Sequence, residues 1–226
     1  VAFRSNVIQR SMNDENQMTD WPAVSADEKI NFIDMDRLLA ALGTRAIVLV
    51  GIMGCGKSTV GKRLALRLGL EFVDADSEIE RAANMTVSEI FAEHGEPYFR
   101  SGEERVIARL LSEGPQVLAT GGGAFMSETT RSQIAEHGLS IWLKVDFETV
   151  MARVRRCATR PLLQTPDPEG TMRSLLAERE PVYAMSTLTV TSKDVPHDTV
   201  VDQIIITMAD YLFQGGDNLA PQISNT

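Results

Sequence analysis

Hydrophobic and polar positions along this chain alternate at two spacings. Short continuous apolar runs recur: Ala46-Ile47-Val48-Leu49-Val50, Gln116-Val117-Leu118-Ala119-Thr120, Leu139 to Val145, and Leu188-Thr189-Val190. Runs of this length and β-branched content read as strands buried on both faces. Glu71-Phe72-Val73-Asp74-Ala75-Asp76 is a more polar strand that ends in two aspartates. Between the strands lie stretches with helical spacing: Val60 to Leu68, a short helix opened by the capping box Thr86-Val87-Ser88-Glu89, a longer one from Pro97 to Ser112, then Ser127 to Glu136, Phe147 to Arg156, Met172 to Glu180 and Thr199 to Phe213. Gln164 to Gly170, with Pro166 and Pro168, reads as a polar loop. Strands alternating with helices predict an α/β fold, a three-layer α/β/α arrangement around a five-stranded parallel sheet.

The two ends break the pattern. Residues 1–25 are polar and irregular, which predicts disorder, and 26–43 read as one helix packed on the core, with Ser25 and Glu28 at capping-box spacing. The chain is expected to fray from Gln214 onward. This gives an N-terminal extension over 1–43, one folded domain over 44–213 and a tail over 214–226.

The break between the first strand and the first regular helix is Gly51-Ile52-Met53-Gly54-Cys55-Gly56-Lys57-Ser58-Thr59, which fits G-x-x-x-x-G-K-[ST]. Strand before and helix after are the context that separates a phosphate-binding loop from a glycine-rich turn that binds nothing. Glycines let the backbone wrap an anion, so that N–H groups and the positive end of the helix face the phosphates. Lys57 is suited to bridge the β- and γ-phosphates, and the Ser58 hydroxyl to ligate Mg²⁺. Residues 54–59 are thus candidate ATP-binding positions.

Composition narrows the partners. A formal charge of −9 over 226 residues argues against nucleic acid, whose phosphates need a basic surface. No apolar run is long enough to cross a bilayer, and the start lacks the charged-then-apolar pattern of a signal peptide. Cys55 and Cys157 are the only cysteines. They do not make a disulfide framework, so a reduced, cytoplasmic protein is expected. Cys55 near a helix N-terminus is a small filler or a reactive thiol, the former being the simpler reading. His94, His137 and His197 are scattered without metal-ligand spacing. An acidic protein that binds ATP must gather its few cations at the site, so the arginines become informative.

In open parallel sheets ligands bind beyond the carboxyl ends of the strands. The phosphate loop, Asp74 with Asp76, and Gly121-Gly122-Gly123 all fall there and are expected to meet in one crevice. Near a triphosphate one aspartate would organise Mg²⁺-bound water, and the other would accept the proton of a substrate hydroxyl. The plainer alternative is that Asp76 only caps the next helix. Phe99-Arg100-Ser101-Gly102-Glu103, Arg160-Pro161-Leu162-Leu163 and Arg179-Glu180-Pro181-Val182-Tyr183 follow. Each is weak alone.

Taken together in this order behind the loop, these motifs resemble shikimate kinase over about residues 45–212. The resemblance implies a P-loop kinase core with a substrate-binding insertion, about 76–105, and a mobile lid, about 155–170. It implies ATP-dependent phosphorylation of the shikimate 3-hydroxyl, a step toward chorismate and the aromatic amino acids, with Mg²⁺ as cofactor, ATP and shikimate as the only partners, and a monomer. Asp76 would bind the hydroxyls as general base. Arg100 and Arg179 would clamp the carboxylate with guanidinium forks, and Glu103, a helical turn from Arg100, would orient it. Gly121, Gly122 and Gly123 would bring backbone close to the ring. Lys57 and Arg160 would stabilise the transferring phosphoryl group, Arg160 from the lid, and Ser58 with Asp74, through water, would serve the metal. Arg153 and Pro196 fall where the family contacts adenine. Cys55 stands at a loop position where small residues are usual, and the extension before Thr44 is longer than the family needs. A kinase for another hydroxy acid such as gluconate, and a silent nucleotide-binding homologue, are the rival readings.

Overall fold

The computed structural model describes residues 26–155, 165–192 and 195–214, with the side chains of 26–28 excepted. Among them β1 (Ala46–Val50), β2 (Glu71–Asp74), β3 (Gln116–Ala119), β4 (Gly138–Lys144) and β5 (Leu188–Thr191) form one sheet in the order β2-β3-β1-β4-β5. All four pairings are parallel. β1 and β3 are buried at every position, as a strand covered on both faces must be.

The strand order fixes where a ligand fits. From β1 the chain crosses by α3 (Lys57–Leu68) to the β2 edge, while from β3 it crosses by α6 (Glu128–His137) toward β4. Connections leaving adjacent strands in opposite directions open a crevice at their carboxyl ends. The loops after β1 and β3, the glycine loop and the triple glycine, are the two that border it.

On one face α3 packs with α9 (His197–Phe213), and Arg63 and Arg67 pair with Asp198 and Asp202 across the seam at 2.7 and 3.1 Å. The stretch 26–43 is two helices rather than the single one its pattern suggests, α1 (Ala26–Phe32) and α2 (Met35–Leu42). Asp34 divides them, because its carboxylate takes the N–H groups of Asp36 and Arg37 and so starts a new helix. Ile33, Leu38 and Leu42 join the main core, and Arg37 lies 4.8 Å over the Phe213 ring of α9.

Two further boundaries are displaced. β2 ends at Asp74, and Ala75 and Asp76 belong to α4 (Ala75–Ala83) instead of the strand. The side chain that caps α4 is Asp74, accepting from the Asp76 N–H, so Asp76 is not the cap. The polar loop ends before Pro168, where α8 (Pro168–Tyr183) begins. Asp167 caps it by accepting from Gly170 N, and proline suits the first turn because its missing N–H has no helical partner to lose.

The short and the long helix meet in α5 (Val87–Leu111), which bends at Gly95, where φ is 79° and ψ 172°. Only glycine takes such a backbone readily. Thr86 and Glu89 form the complete capping box at its start. Below the bend Ile79, Ile90 and Phe99 make a small separate core, which gives α4 and α5 rigidity of their own. α7 (Phe147–Arg155) completes the helices.

Candidate active site

The phosphate loop is built by glycines that the neighbouring chain leaves no alternative to. A Cβ on Gly54 would stand 2.8 Å from Val154 Cγ2, and its φ is 81°. Gly56 sits in the left-handed region at the start of α3 with no side-chain cap, so the first N–H groups of that helix face the loop's interior unclaimed by a side chain. Lys57 folds over the same ring, donating from Nζ to the carbonyls of Gly51 at 2.7 Å and Ile52 at 3.1 Å. Ser58 and Thr59 are exposed on the first turn of α3.

Cys55 is fully buried, a core filler rather than an accessible thiol. Its carbonyl accepts from Arg153 Nη1 at 3.2 Å and from Ser192 Oγ at 3.3 Å. Arg153 of α7 therefore stands directly behind the loop. Pro196 caps α9 in the segment after β5, the same segment that supplies Ser192.

Facing the loop, α4 brings in the acids. Ser58 Oγ donates to Asp74 Oδ2 at 2.8 Å, while Asp74 Oδ1 takes the Asp76 N–H at 3.1 Å. A hydroxyl and a carboxylate oxygen at this spacing are hard oxygen donors of the kind Mg²⁺ takes alongside phosphates and water. Among the described residues no group of three or more His, Cys, Asp or Glu forms a metal cage. Burial pushes the Asp76 carboxyl above the usual aspartate range, the Asp74 charge adds to this, and Lys57 opposes it.

The triple glycine fills the space between this acid and two arginines. A methyl on Gly121 would meet Glu103 Oε1 at 2.7 Å and Asp76 Oδ1 at 2.8 Å, and one on Gly123 would meet Arg100 Nη2 at 2.5 Å. Arg100 Nη1 donates to Glu103 Oε2 at 2.7 Å, and its Nε and Nη2 both donate to Glu96 Oε1 at 3.1 and 3.0 Å. Glu103 is buried. Burial raises its pKa, against the pull of Arg100, and its Oε1 has no hydrogen-bond partner. On the other side Arg179 of α8 donates from Nη1 to Gly122 O at 3.3 Å. Arg179 is buried, and its Nε has no partner. Both orphans belong to residues packed against the triple glycine, and a polar ligand bound there would satisfy such groups.

The residues named from sequence thus converge: Lys57, Ser58, Asp74, Asp76, Arg100, Glu103, Gly121 to Gly123 and Arg179 surround one crevice. Arg160 and Cys157 lie outside the described residues, as does most of the lid segment. Glu96 and Ser192 escaped the sequence reading. The signal for Glu96 is its place four residues before Arg100 on a helix, the spacing of an ion pair. For Ser192 it is a polar residue just past a strand's carboxyl end, where the crevice lies.

Comparison with known proteins identifies the family. A family model described as shikimate kinase matches residues 53–209. The shikimate kinases of Bradyrhizobium diazoefficiens and Rhodopseudomonas palustris are 63% and 58% identical over 175 residues, 77% of this chain and 84% and 86% of their own lengths. The structure of shikimate kinase from Acinetobacter baumannii in complex with shikimate matches with a TM-score of 0.71 at 36% identity, over 80% of this chain and 98% of that one. A gluconokinase from Sinorhizobium meliloti, 17% identical with a TM-score of 0.52 over 78% of this chain and 98% of its own, shares the fold.

Proposed function

The chain belongs to the shikimate kinase family, and we infer that it phosphorylates shikimate at the 3-hydroxyl, with ATP as phosphoryl donor, through the residues gathered in this crevice. The product is shikimate 3-phosphate, on the route to chorismate and aromatic amino acids. One observation carries the residue assignment. Two guanidinium groups flank the triple glycine, Arg100 against Gly123 and Arg179 against Gly122, while Asp76 lies against Gly121 and feels the charges of both Lys57 and Arg100.

An anionic ring acid with several hydroxyls suits this arrangement. Guanidinium forks hold a planar carboxylate with charge-assisted hydrogen bonds. The buried Arg179 Nε has no other partner to lose. Asp76, whose carboxyl burial pushes above the usual aspartate range, is the group that accepts the proton of the attacking hydroxyl when ionised. Gly121 has no room for a side chain because the Asp76 and Glu103 carboxylates stand against its backbone, so glycine there is what lets both acids keep their places at the acceptor loop.

On the donor side the loop amides and Lys57 hold the β- and γ-phosphates, with Arg153 and Pro196 toward the adenine and Arg160 over the phosphates from the lid. Ser58 and Asp74, the latter through water, would hold Mg²⁺, which when bound neutralises phosphate charge. ATP and shikimate are the partners we assign, and a monomer is the form in which the site is complete within one chain. Among the described residues no helix is long and apolar enough to cross a membrane.

The test is ADP release from ATP and Mg²⁺ with shikimate, gluconate or no acceptor. Turnover that depends on shikimate is the expected result. Turnover with gluconate instead, or nucleotide binding without acceptor-dependent release, would overturn the assignment in favour of another acid kinase or a silent homologue.

A further inference from the structure

Gly122 O, the carbonyl at the centre of the acceptor loop, receives two hydrogen bonds from one helix. Arg179 Nη1 donates at 3.3 Å, and the Tyr183 hydroxyl, one turn further along α8, donates to the same oxygen. A carbonyl has two lone pairs, so this pair of donors fills it. Tyr183 is 1% exposed, and its ring packs against Trp142 of β4 with centroids 6.0 Å apart. Trp142 in turn backs the phosphate loop, its Cδ1 lying 3.3 Å from where a Gly51 Cβ would be. Gly122 itself touches that loop, 3.3 Å from Met53 N by the same measure. Tyr183 thus grips, with one buried ring and one hydroxyl, both the acceptor loop and the wall of the nucleotide loop.

We propose that Tyr183 is a positioning residue for the acceptor, holding Gly122 in register with the phosphate loop and keeping the donors of Arg179 free for the substrate carboxylate. The proposal rests on the assignment of Arg179 as half of the carboxylate clamp. The physical step is competition for one oxygen. With the tyrosine hydroxyl in place, a single N–H of Arg179 is spent on Gly122, and the buried Nε is left unpaired. Without it, one lone pair of Gly122 stands open in a buried place, which is costly. The nearest donor is the same guanidinium, and it turns toward the loop at the expense of the ligand. Burial holds the phenol well above the usual tyrosine range, so the hydroxyl remains a donor at any assay pH.

The experiment is a kinetic cycle of Tyr183→Phe, Arg179→Ala and the double variant, with KM measured for shikimate and for ATP separately. Loss of the hydroxyl alone is expected to raise the shikimate KM about five- to ten-fold, the value of one such hydrogen bond, with the ATP KM within about two-fold of the parent. In the Arg179→Ala background the same change is expected to have almost no effect on the shikimate KM, because the group it positions is gone. The proposal is overturned by an undiminished Tyr183→Phe factor in that background, by equal rises in both KM values, or by no rise at all. If Arg179→Ala alone leaves the shikimate KM unchanged, the clamp assignment fails first, and the single-variant data distinguish that case.

Discussion

The α-carbon of Gly123 lies against the guanidinium of Arg100, so close that a methyl group there would be 2.5 Å from Nη2 and 2.7 Å from Cζ. Glu103 and Glu96 hold the guanidinium in that place, so it gives way only by leaving its ion pairs. Gly123→Ala is therefore expected to displace the guanidinium and raise the shikimate KM at least about ten-fold, with little loss of stability, because the atoms that must move are the end of a long, partly exposed side chain. Gly102 on the same helix has open space around its α-carbon. Gly102→Ala is expected to stabilise by about 0.5–1 kcal/mol with KM unchanged. Thermal melting and initial rates on the pair check both; a normal shikimate KM in Gly123→Ala would remove Arg100 from the acceptor site.

Glu96 takes the Nε and Nη2 donors of Arg100 with one oxygen, the side of the guanidinium best shaped for a carboxylate. Its side chain is 62% exposed, so it can swing away into water. An incoming carboxylate competes with it and feels its charge. Glu96→Gln is expected to lower the shikimate KM about two- to five-fold at low salt, in keeping with the small worth of exposed pairs. The gap should narrow as salt screens the charge. A higher KM in the variant would make Glu96 an orienting partner of Arg100, not a competitor.

Ser58 and Asp74 share a hydrogen bond of 2.8 Å between the first turn of α3 and the cap of α4. If the two serve Mg²⁺, Ser58→Ala should raise the Mg²⁺ concentration for half-maximal turnover several-fold, and chelation should abolish turnover in the parent. A Mg²⁺ titration at saturating ATP and shikimate reads this directly. An unchanged midpoint would leave the hydroxyl a link between two helices with no part in metal binding.

The sequence made the sheet legible because its inner strands are buried on both faces and their composition is unambiguous. The glycine loop was legible because its backbone demands leave few residue choices. Boundaries set by side-chain capping were harder. Whether Asp74 or Asp76 would cap α4 depends on which carboxylate reaches a free N–H, and the strand pattern runs on smoothly through both. Asp34 splits a stretch whose apolar spacing is helical throughout. Glu103 was legible as a partner of Arg100 from helical spacing, and Glu96 carries the same kind of signal, but the double grip on Gly122 was beyond local pattern, since Gly122 and Tyr183 are 61 residues apart. The site residues themselves were found chiefly through the family resemblance, and periodicity alone would have left each arginine an ordinary surface charge.

Asp76 ties activity to stability through its ionisation. Its carboxyl has a pKa above the usual 3.8, first because it is buried and next because Asp74 is near. The fold thus disfavours the ionised form relative to the unfolded chain. That cost is complete above the folded pKa and vanishes as pH falls below the unfolded value, where both states are protonated. Replacing Asp76 by Asn removes the cost, so the variant is expected to melt higher than the parent at neutral pH, with the difference closing as pH falls toward 3.8. Its turnover should collapse, since an amide cannot accept the hydroxyl proton, while nucleotide affinity persists. In the parent, kcat/KM for shikimate should fall on the acid side through a pKa displaced upward from that of an ordinary aspartate. Melting curves of both proteins across pH, beside the parent's rate profile, check the two halves together. A variant less stable than the parent at neutral pH would mean that the ionised carboxylate is held by favourable contacts that outweigh its burial. Near-parental turnover would take the role of base away from Asp76.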